Sequence, residues 1–486
     1  MPRFYPPAIL ALLFLTATTA SAQTRSEAID RLMQSYAAER QFNGSVLVAE
    51  KGNVIYSHGF GLANMEWNIP NTPTTRFRLA SVSKQFTAMV ILQLAQEGKL
   101  DLDEKVIAYL PEYPKPQGEM ITIHHLLTHT SGIPDRTGDT NIEWQLRSST
   151  TPEALLARHW SLPLEFPPGS RFNYSNSGYV ALGLIIQKLT AMPYEKAIQQ
   201  RILDRLGMKS TGFDTTGSII PQRATGYMRT LTGYTTAPFM DLSQVYSAGS
   251  MYSTVEDLHL WDRALYTDAL LNDRFRAMMF SPMVISNVGG SYGYGWVINR
   301  TAVGPKQDSV TIVAHSGGLI GFGALLTRII ENEQLIVLLD NRNPGAAPLD
   351  RITRGIATIL HDGQADPPVK SVAAHLYQVI ERDGLGAAVA RYREIRKQKG
   401  REYSLGEGEL NTLGYELLKD GRNREAIEIF KLNVEAYPNA FNAYDSLAEA
   451  YMIAGEDDLA LQNYAHSLVL NASNANAAQM MRKLSK

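Results

Sequence analysis

In Leu79-Ala80-Ser81-Val82-Ser83-Lys84-Gln85-Phe86-Thr87, Ser81 and Lys84 stand three apart at the head of an apolar helical run, Ala88 to Leu94. Residues i and i+3 of a helix share a face, so hydroxyl and amine can meet. A serine hydroxyl becomes an effective nucleophile when a base takes its proton. A lysine is such a base if burial or a neighbouring cation lowers its pKa. The same residues also fit a plain helix start, with Ser81 or Ser83 as the cap and Lys84 in water. No other lysine in the chain has a serine three residues before it. An acyl-transfer site further needs a proton donor for the leaving group and an oxyanion hole. Two triplets supply candidates: Tyr174-Ser175-Asn176, with a phenol and an amide, and His315-Ser316-Gly317, expected on a strand. Tyr437-Pro438-Asn439 and His361-Asp362-Gly363 match the same short patterns but fall in a helical repeat and at a helix end.

The chain has 486 residues, enough for two or three domains with full cores. Its 44% hydrophobic and 19% charged composition is that of an ordinary globular protein. A net charge of -2 gives no electrostatic basis for binding nucleic acid. Residues 1–22 have the pattern of an export signal: Arg3, the short apolar core Ala8 to Leu15, then Ala20-Ser21-Ala22 before Gln23. That core is too short to span a bilayer comfortably. The expectation is therefore an exported, periplasmic or secreted protein with no membrane-integrated part after cleavage. The chain has no cysteine, which excludes thiol catalysis and disulfide support.

Strand patterns lie at both ends of residues 23–362, with helical patterns between them. Ser26 to Arg40 reads as an amphipathic helix, and Ser45–Ala49 with Val54–Ser57 as a hairpin about Lys51-Gly52-Asn53. Helices are expected over Leu100–Leu110, from Thr122 through His129, over Val180–Leu189, within Gly249–Leu265 and over Ile352–Leu360. Strands are expected over Gly293–Val297, Thr311–Ala314, Ala324–Ile330 and Leu335–Leu339. This order predicts an α/β fold in which one antiparallel sheet is assembled from distant segments and packs against helices. His125 and His129 have the spacing of a metal pair, but Leu126 stands where a zinc protease of the H-E-x-x-H type carries glutamate, so capping or packing is the expected role.

Residues 363–403 read as a linker, with Pro367-Pro368, followed by helices. Residues 404–486 read as all helix. Gly414, Leu417, Ala426 and Phe430 recur 34 positions later as Ala448, Tyr451, Ala460 and Tyr464, which is the tetratricopeptide period. Such stacks offer a surface for a protein partner.

Five stretches carry a resemblance: the one about Ser81 and Lys84; Leu126-Leu127-Thr128-His129-Thr130-Ser131-Gly132-Ile133-Pro134; Pro168-Gly169 through Tyr179; Tyr292-Gly293-Tyr294-Gly295-Trp296; and His315-Ser316-Gly317-Gly318. In this order, over roughly residues 26 to 362, they resemble the serine β-lactamase-like family of class C β-lactamases, D-Ala-D-Ala carboxypeptidases and related esterases. The resemblance implies a β-lactamase/transpeptidase-like sandwich of five or more antiparallel strands with an all-helical region, the cleft lying between them. It implies that Ser81 forms an acyl-enzyme and that Lys84 and Tyr174 act as general base and acid. Asn176, His315, Ser316 and Gly317 would bind substrate. The backbone N–H groups of Ser81 and Gly318 would form the oxyanion hole. No metal or cofactor is implied.

The chain departs from the family at one point. Many members that cleave β-lactams have Lys-Thr-Gly where this chain has His315-Ser316-Gly317. A histidine mostly neutral at pH 7 offers little attraction to a substrate carboxylate. The expected activity is hydrolysis of esters or of D-amino-acid amide or peptide bonds. The alternatives are a class C-like β-lactamase and a catalytically weak penicillin-recognising scaffold serving the helical repeats.

Overall fold

The computed structural model describes residues 24–134, 146–342, 345–398 and 402–485. The proposed export signal at residues 1–22 lies outside them. By contacts the chain divides into two compact units, one running to Arg229 and from Thr235 to Pro367, the other comprising Thr230–Tyr234 and Pro368 onward. No helix of the described residues is long and apolar enough to cross a membrane.

The first unit is built on an eight-stranded antiparallel sheet. Its strands in chain order are β1 (Gly44–Glu50), β2 (Asn53–Phe60), β3 (Val284–Ser286), β4 (Gly290–Tyr292), β5 (Val297–Val303), β6 (Asp308–Leu319), β7 (Phe322–Ile329) and β8 (Gln334–Asp340). In space they lie in the order β3-β4-β5-β6-β7-β8-β1-β2. The N-terminal hairpin thus joins the C-terminal meander through β1 and β8, with Ser45 opposite Leu339 and Val48 opposite Ile336.

Side chains alternate across a strand, and both faces of the central strands are covered here. Val46, Val48, Leu325, Ile336 and Leu338 pack with Ile29, Met33, Leu349, Ile352 and Ile356 from α1 (residues 24–38) and a late helix, Ala346–Leu360. Leu47, Ala49, Ala324, Leu326, Leu335, Val337 and Leu339 face the larger helical layer. Within that layer α2 (Lys84–Gln96) is buried from Lys84 to Leu94. A helix apolar on all sides is a core helix rather than a surface one. Phe86 stacks on Trp261 at 4.4 Å, and the Trp261 indole N–H donates to Gln85 Oε1 at 2.9 Å.

Several element boundaries differ from the sequence expectation. Only Val106–Tyr109 of Leu100–Leu110 is helical. Asp101 accepts the Asp103 N–H at 3.0 Å, a side-chain turn that competes with helix. The helix expected through His129 is α3 (Ile123–Leu127), after which His129 takes φ 59°. The helix expected from Val180 is α4 (Asn176–Thr190), because Ser175 caps it earlier by accepting the Gly178 N–H at 3.2 Å. The stretch after Tyr292 is a turn rather than a strand: Gly293 N–H donates to Trp296 O at 2.8 Å, and Gly295 has φ 80°.

From Pro368 onward the described residues are mainly helical, with a short parallel pairing of Lys370–Ser371 with Tyr403–Ser404. Val372–Asp383 and Leu385–Gln398 pack as a pair. Helices then begin at Glu407, Phe441 and Ala475, alternating with helices that begin at Asn423 and Asp457. The eight repeating positions from Gly414 to Tyr464 are all buried, in the core of this unit.

Candidate active site

The chain enters α2 through a tight turn, Ala80–Ser83. Ala80 takes φ 49°, a left-handed conformation rare for a residue with a Cβ. Neither end of this turn shows side-chain capping; Ser83 Oγ instead accepts the Met251 N–H at 3.2 Å. Lys84 Nζ donates to Ser81 Oγ at 3.1 Å, to Asn176 Oδ1 at 2.8 Å and to the Ala248 carbonyl at 2.9 Å. Lys84 is fully buried, while Ser81 keeps partial exposure. Two of the three acceptors, an amide oxygen and a carbonyl, can only accept. A neutral Lys84 that kept its N–H bonds to those two would have its lone pair available to Ser81. The geometry therefore suits proton removal from the hydroxyl.

Tyr174 precedes the cap of α4, so its backbone position and that of Asn176 are set by one helix start. Lys84 Nζ lies 4.8 Å from the centre of the Tyr174 ring and 5.5 Å from that of Tyr179. Ser81, Lys84, Tyr174 and Asn176 thus meet in one place. Asn176 meets Lys84 through its Oδ1.

His315, Ser316, Gly317 and Gly318 lie on β6, paired in register with Leu326, Leu325, Ala324 and Gly323. Strand β6 passes close against the Ser81 turn: a Cβ on Gly317 would stand 2.1 Å from Leu79 O and 3.1 Å from the Ala80 Cβ. Among the described residues nothing lies within 4 Å of where a Cβ on Gly318 would project, and Gly318 is exposed. His315, the candidate for the substrate wall, is 4% exposed. Its Nδ1–H donates to Ser316 O at 2.6 Å, and its Nε2 accepts from the Tyr292 hydroxyl at 2.9 Å. Burial, then the Lys84 cation, hold its pKa down to about 3, so it is neutral at working pH.

Three contributors were not assigned roles from sequence. Tyr292 and Tyr179 are fully buried, and the Tyr179 hydroxyl donates to Leu127 O at 3.0 Å. Both occur in the stretches that carry the family resemblance, which was the available signal. The Ala248 carbonyl had none, since any residue supplies a carbonyl. His125 and His129 do not form a metal pair. His125 belongs to a capping box, its Nδ1 accepting the Thr122 N–H at 3.2 Å while Thr122 Oγ1 accepts the His125 N–H. Burial pushes its pKa down to about 4. Among the described residues no group of three His, Asp or Glu side chains is placed to hold a metal ion.

A family model described as Beta-lactamase matches residues 29–360. A penicillin-binding protein of Bacillus subtilis strain 168 is 32% identical over 362 residues, covering 71% of this chain and 78% of the relative. A penicillin-binding protein of Bacillus halodurans, known by crystal structure, superposes with TM-score 0.57 at 28% identity, over 66% of this chain and 97% of the other. The D-amino acid amidase of Ochrobactrum anthropi SV3, solved with D-phenylalanine, superposes with TM-score 0.57 at 25% identity, over 69% of this chain and 97% of that one.

Proposed function

Because this chain belongs to the β-lactamase family, we propose that it hydrolyses D-amino-acid amide or peptide bonds, or esters, through an acyl-enzyme on Ser81. The observation that carries this is the 3.1 Å contact between Lys84 Nζ and Ser81 Oγ, with the other two Nζ directions committed elsewhere. Ser81 Oγ attacks the substrate carbonyl as its proton passes to Lys84. The tetrahedral oxyanion is held by the backbone N–H groups of Ser81 and Gly318. Collapse breaks the bond to the leaving amine or alcohol, which takes a proton through the Lys84–Tyr174 pair. Water then attacks the acyl-enzyme and releases the acid. Ser316 and Gly317 on β6 form the wall along which the substrate backbone lies.

Preference for amides and esters over β-lactams is supported by His315, which is buried and neutral and gives a substrate carboxylate no cation. The relation to a D-amino acid amidase points the same way. Ser81→Ala should remove turnover of D-phenylalanine amide by at least ~10^3-fold, the scale of deleting a nucleophile. It should also abolish labelling by a fluorophosphonate probe. A labelled adduct on another serine, or nitrocefin turned over faster than any D-amino-acid amide, peptide or ester, overturns this function.

Residues 1–22 direct export, so the enzyme works outside the cytoplasm. The helical unit from Pro368 onward is a tetratricopeptide-like module that binds a protein partner, supported by the 34-residue recurrence of buried positions.

A further inference from the structure

His129 has no part in the chemistry above, yet it contacts Tyr174 and both of its chain neighbours. Its carbonyl accepts the Asn173 N–H at 2.8 Å. Its ring Nδ1 accepts the Ser175 N–H at 3.0 Å. The imidazole itself stacks on the Tyr174 ring, with centroids 4.2 Å apart and planes inclined by 28°. We propose that His129 is a positioning residue, which fixes the Tyr174 phenol beside Lys84 by gripping the backbone on both sides of it and supporting its ring. The assignment rests on the reading of Tyr174 as a proton-transfer group.

Two further observations support it. His129 sits at φ 59° just after α3 and its C-cap Thr128, in a left-handed conformation rare for a residue with a Cβ. That conformation turns the carbonyl and the ring toward the same segment. The ring is also 1% exposed, and among the described residues its Nε2 has no hydrogen-bond partner. With Nδ1 accepting in the neutral ring, Nε2 carries the proton. A leucine would fill the same space. What leucine lacks is the acceptor for Ser175. A protonated imidazole would set a donor against the Ser175 N–H; burial, with Lys84 and His315 nearby, keeps the ring neutral.

The test uses the full chain with D-phenylalanine amide and p-nitrophenyl acetate, comparing H129L, H129N, Y174F and the H129L/Y174F pair. Asparagine tolerates the left-handed backbone and offers an amide oxygen near the Nδ1 position. H129L should lower kcat by about 100-fold with KM changed less than about threefold, and H129N should recover to within about tenfold of wild type. The pair should lose no more than Y174F alone, since both act on one group. The inference is overturned if H129L keeps kcat within about threefold of wild type, if H129N is no better than H129L, or if the two losses multiply. If H129L does not fold, H129N decides: folded and within about tenfold of wild type supports the role, and a loss as large as that of Y174F overturns it. A fully active Y174F overturns the Tyr174 reading and this inference together. An inactive Y174F beside an unimpaired H129L overturns this inference alone.

Discussion

Gly317 admits no side chain. A methyl group there would stand 2.1 Å from Leu79 O, which is backbone and cannot swing away. Gly317→Ala should therefore push β6 from the Ser81 turn, costing about 1–3 kcal/mol of overpacking. Turnover should fall much further than the loss of folded protein explains, as measured by kcat beside thermal unfolding. His315 makes a second prediction at this scale. Its folded pKa of about 3 lies below the ~6.5 of an unfolded histidine. Between those values the unfolded chain binds a proton that the folded chain refuses. The stability contributed by neutral His315 is thus complete above pH ~6.5 and is lost as pH falls toward 3. Urea unfolding should show this as about 1.4 kcal/mol per pH unit in the window. His315→Gln, a neutral acceptor with no such titration, should flatten the dependence by one proton; an unchanged slope would show that His315 is already charged in the fold.

The segment that delivers the Ala248 carbonyl to Lys84 is held by α4. Ser247 Oγ donates to Tyr179 O at 2.8 Å, and a Cβ on Gly183 would stand 2.2 Å from that same Oγ. Gly183→Ala has opposing effects. Helix propensity gains about 1 kcal/mol, whereas overlap with a fully buried serine costs about 1–3 kcal/mol. Overlap should win, lowering the unfolding midpoint and kcat together; a stabilised, fully active variant would show that Ser247 has room to move. Of the site, Ser81, Lys84, Tyr174 and Asn176 were legible because each lies at a helix start within a short, spaced motif. The buried strand register that brings His315 to Tyr292 was not, since a lone histidine on a strand says nothing about which face is covered. The helix limits misread about Leu100 and Val180 failed for one reason: side-chain turns and caps at Asp101 and Ser175 compete with apolar periodicity. The sheet was legible in kind, from strand patterns at both ends of the unit, but not in its eight-stranded extent.

The two units have separate apolar cores, one centred on α2 and the sheet, the other on Leu410, Phe430 and Tyr464. A chain ending at Pro367 is predicted to fold and to keep hydrolysis of small amides and esters. If it is soluble but inactive on every small substrate, the helical unit is needed for catalysis rather than for a partner. The order of strands in the sheet has a further consequence, which belongs to the time course of folding. Asn43, just before β1, and Asp340, at the end of β8, meet across 297 positions of chain. During synthesis the hairpin of β1 and β2 emerges first, and the strand edge that β8 will cover stays open until the whole unit has been made. Contacts of such high order fold slowly, and an unpaired apolar edge is prone to association meanwhile. Moving β1 and β2 to the C-terminal side of β8 by circular permutation would make that pairing local. In the chain ending at Pro367 the segments to be joined are close, with Arg25 paired to Asp362 at 2.9 Å. The permuted chain should refold faster and aggregate less during refolding, with its final stability little changed.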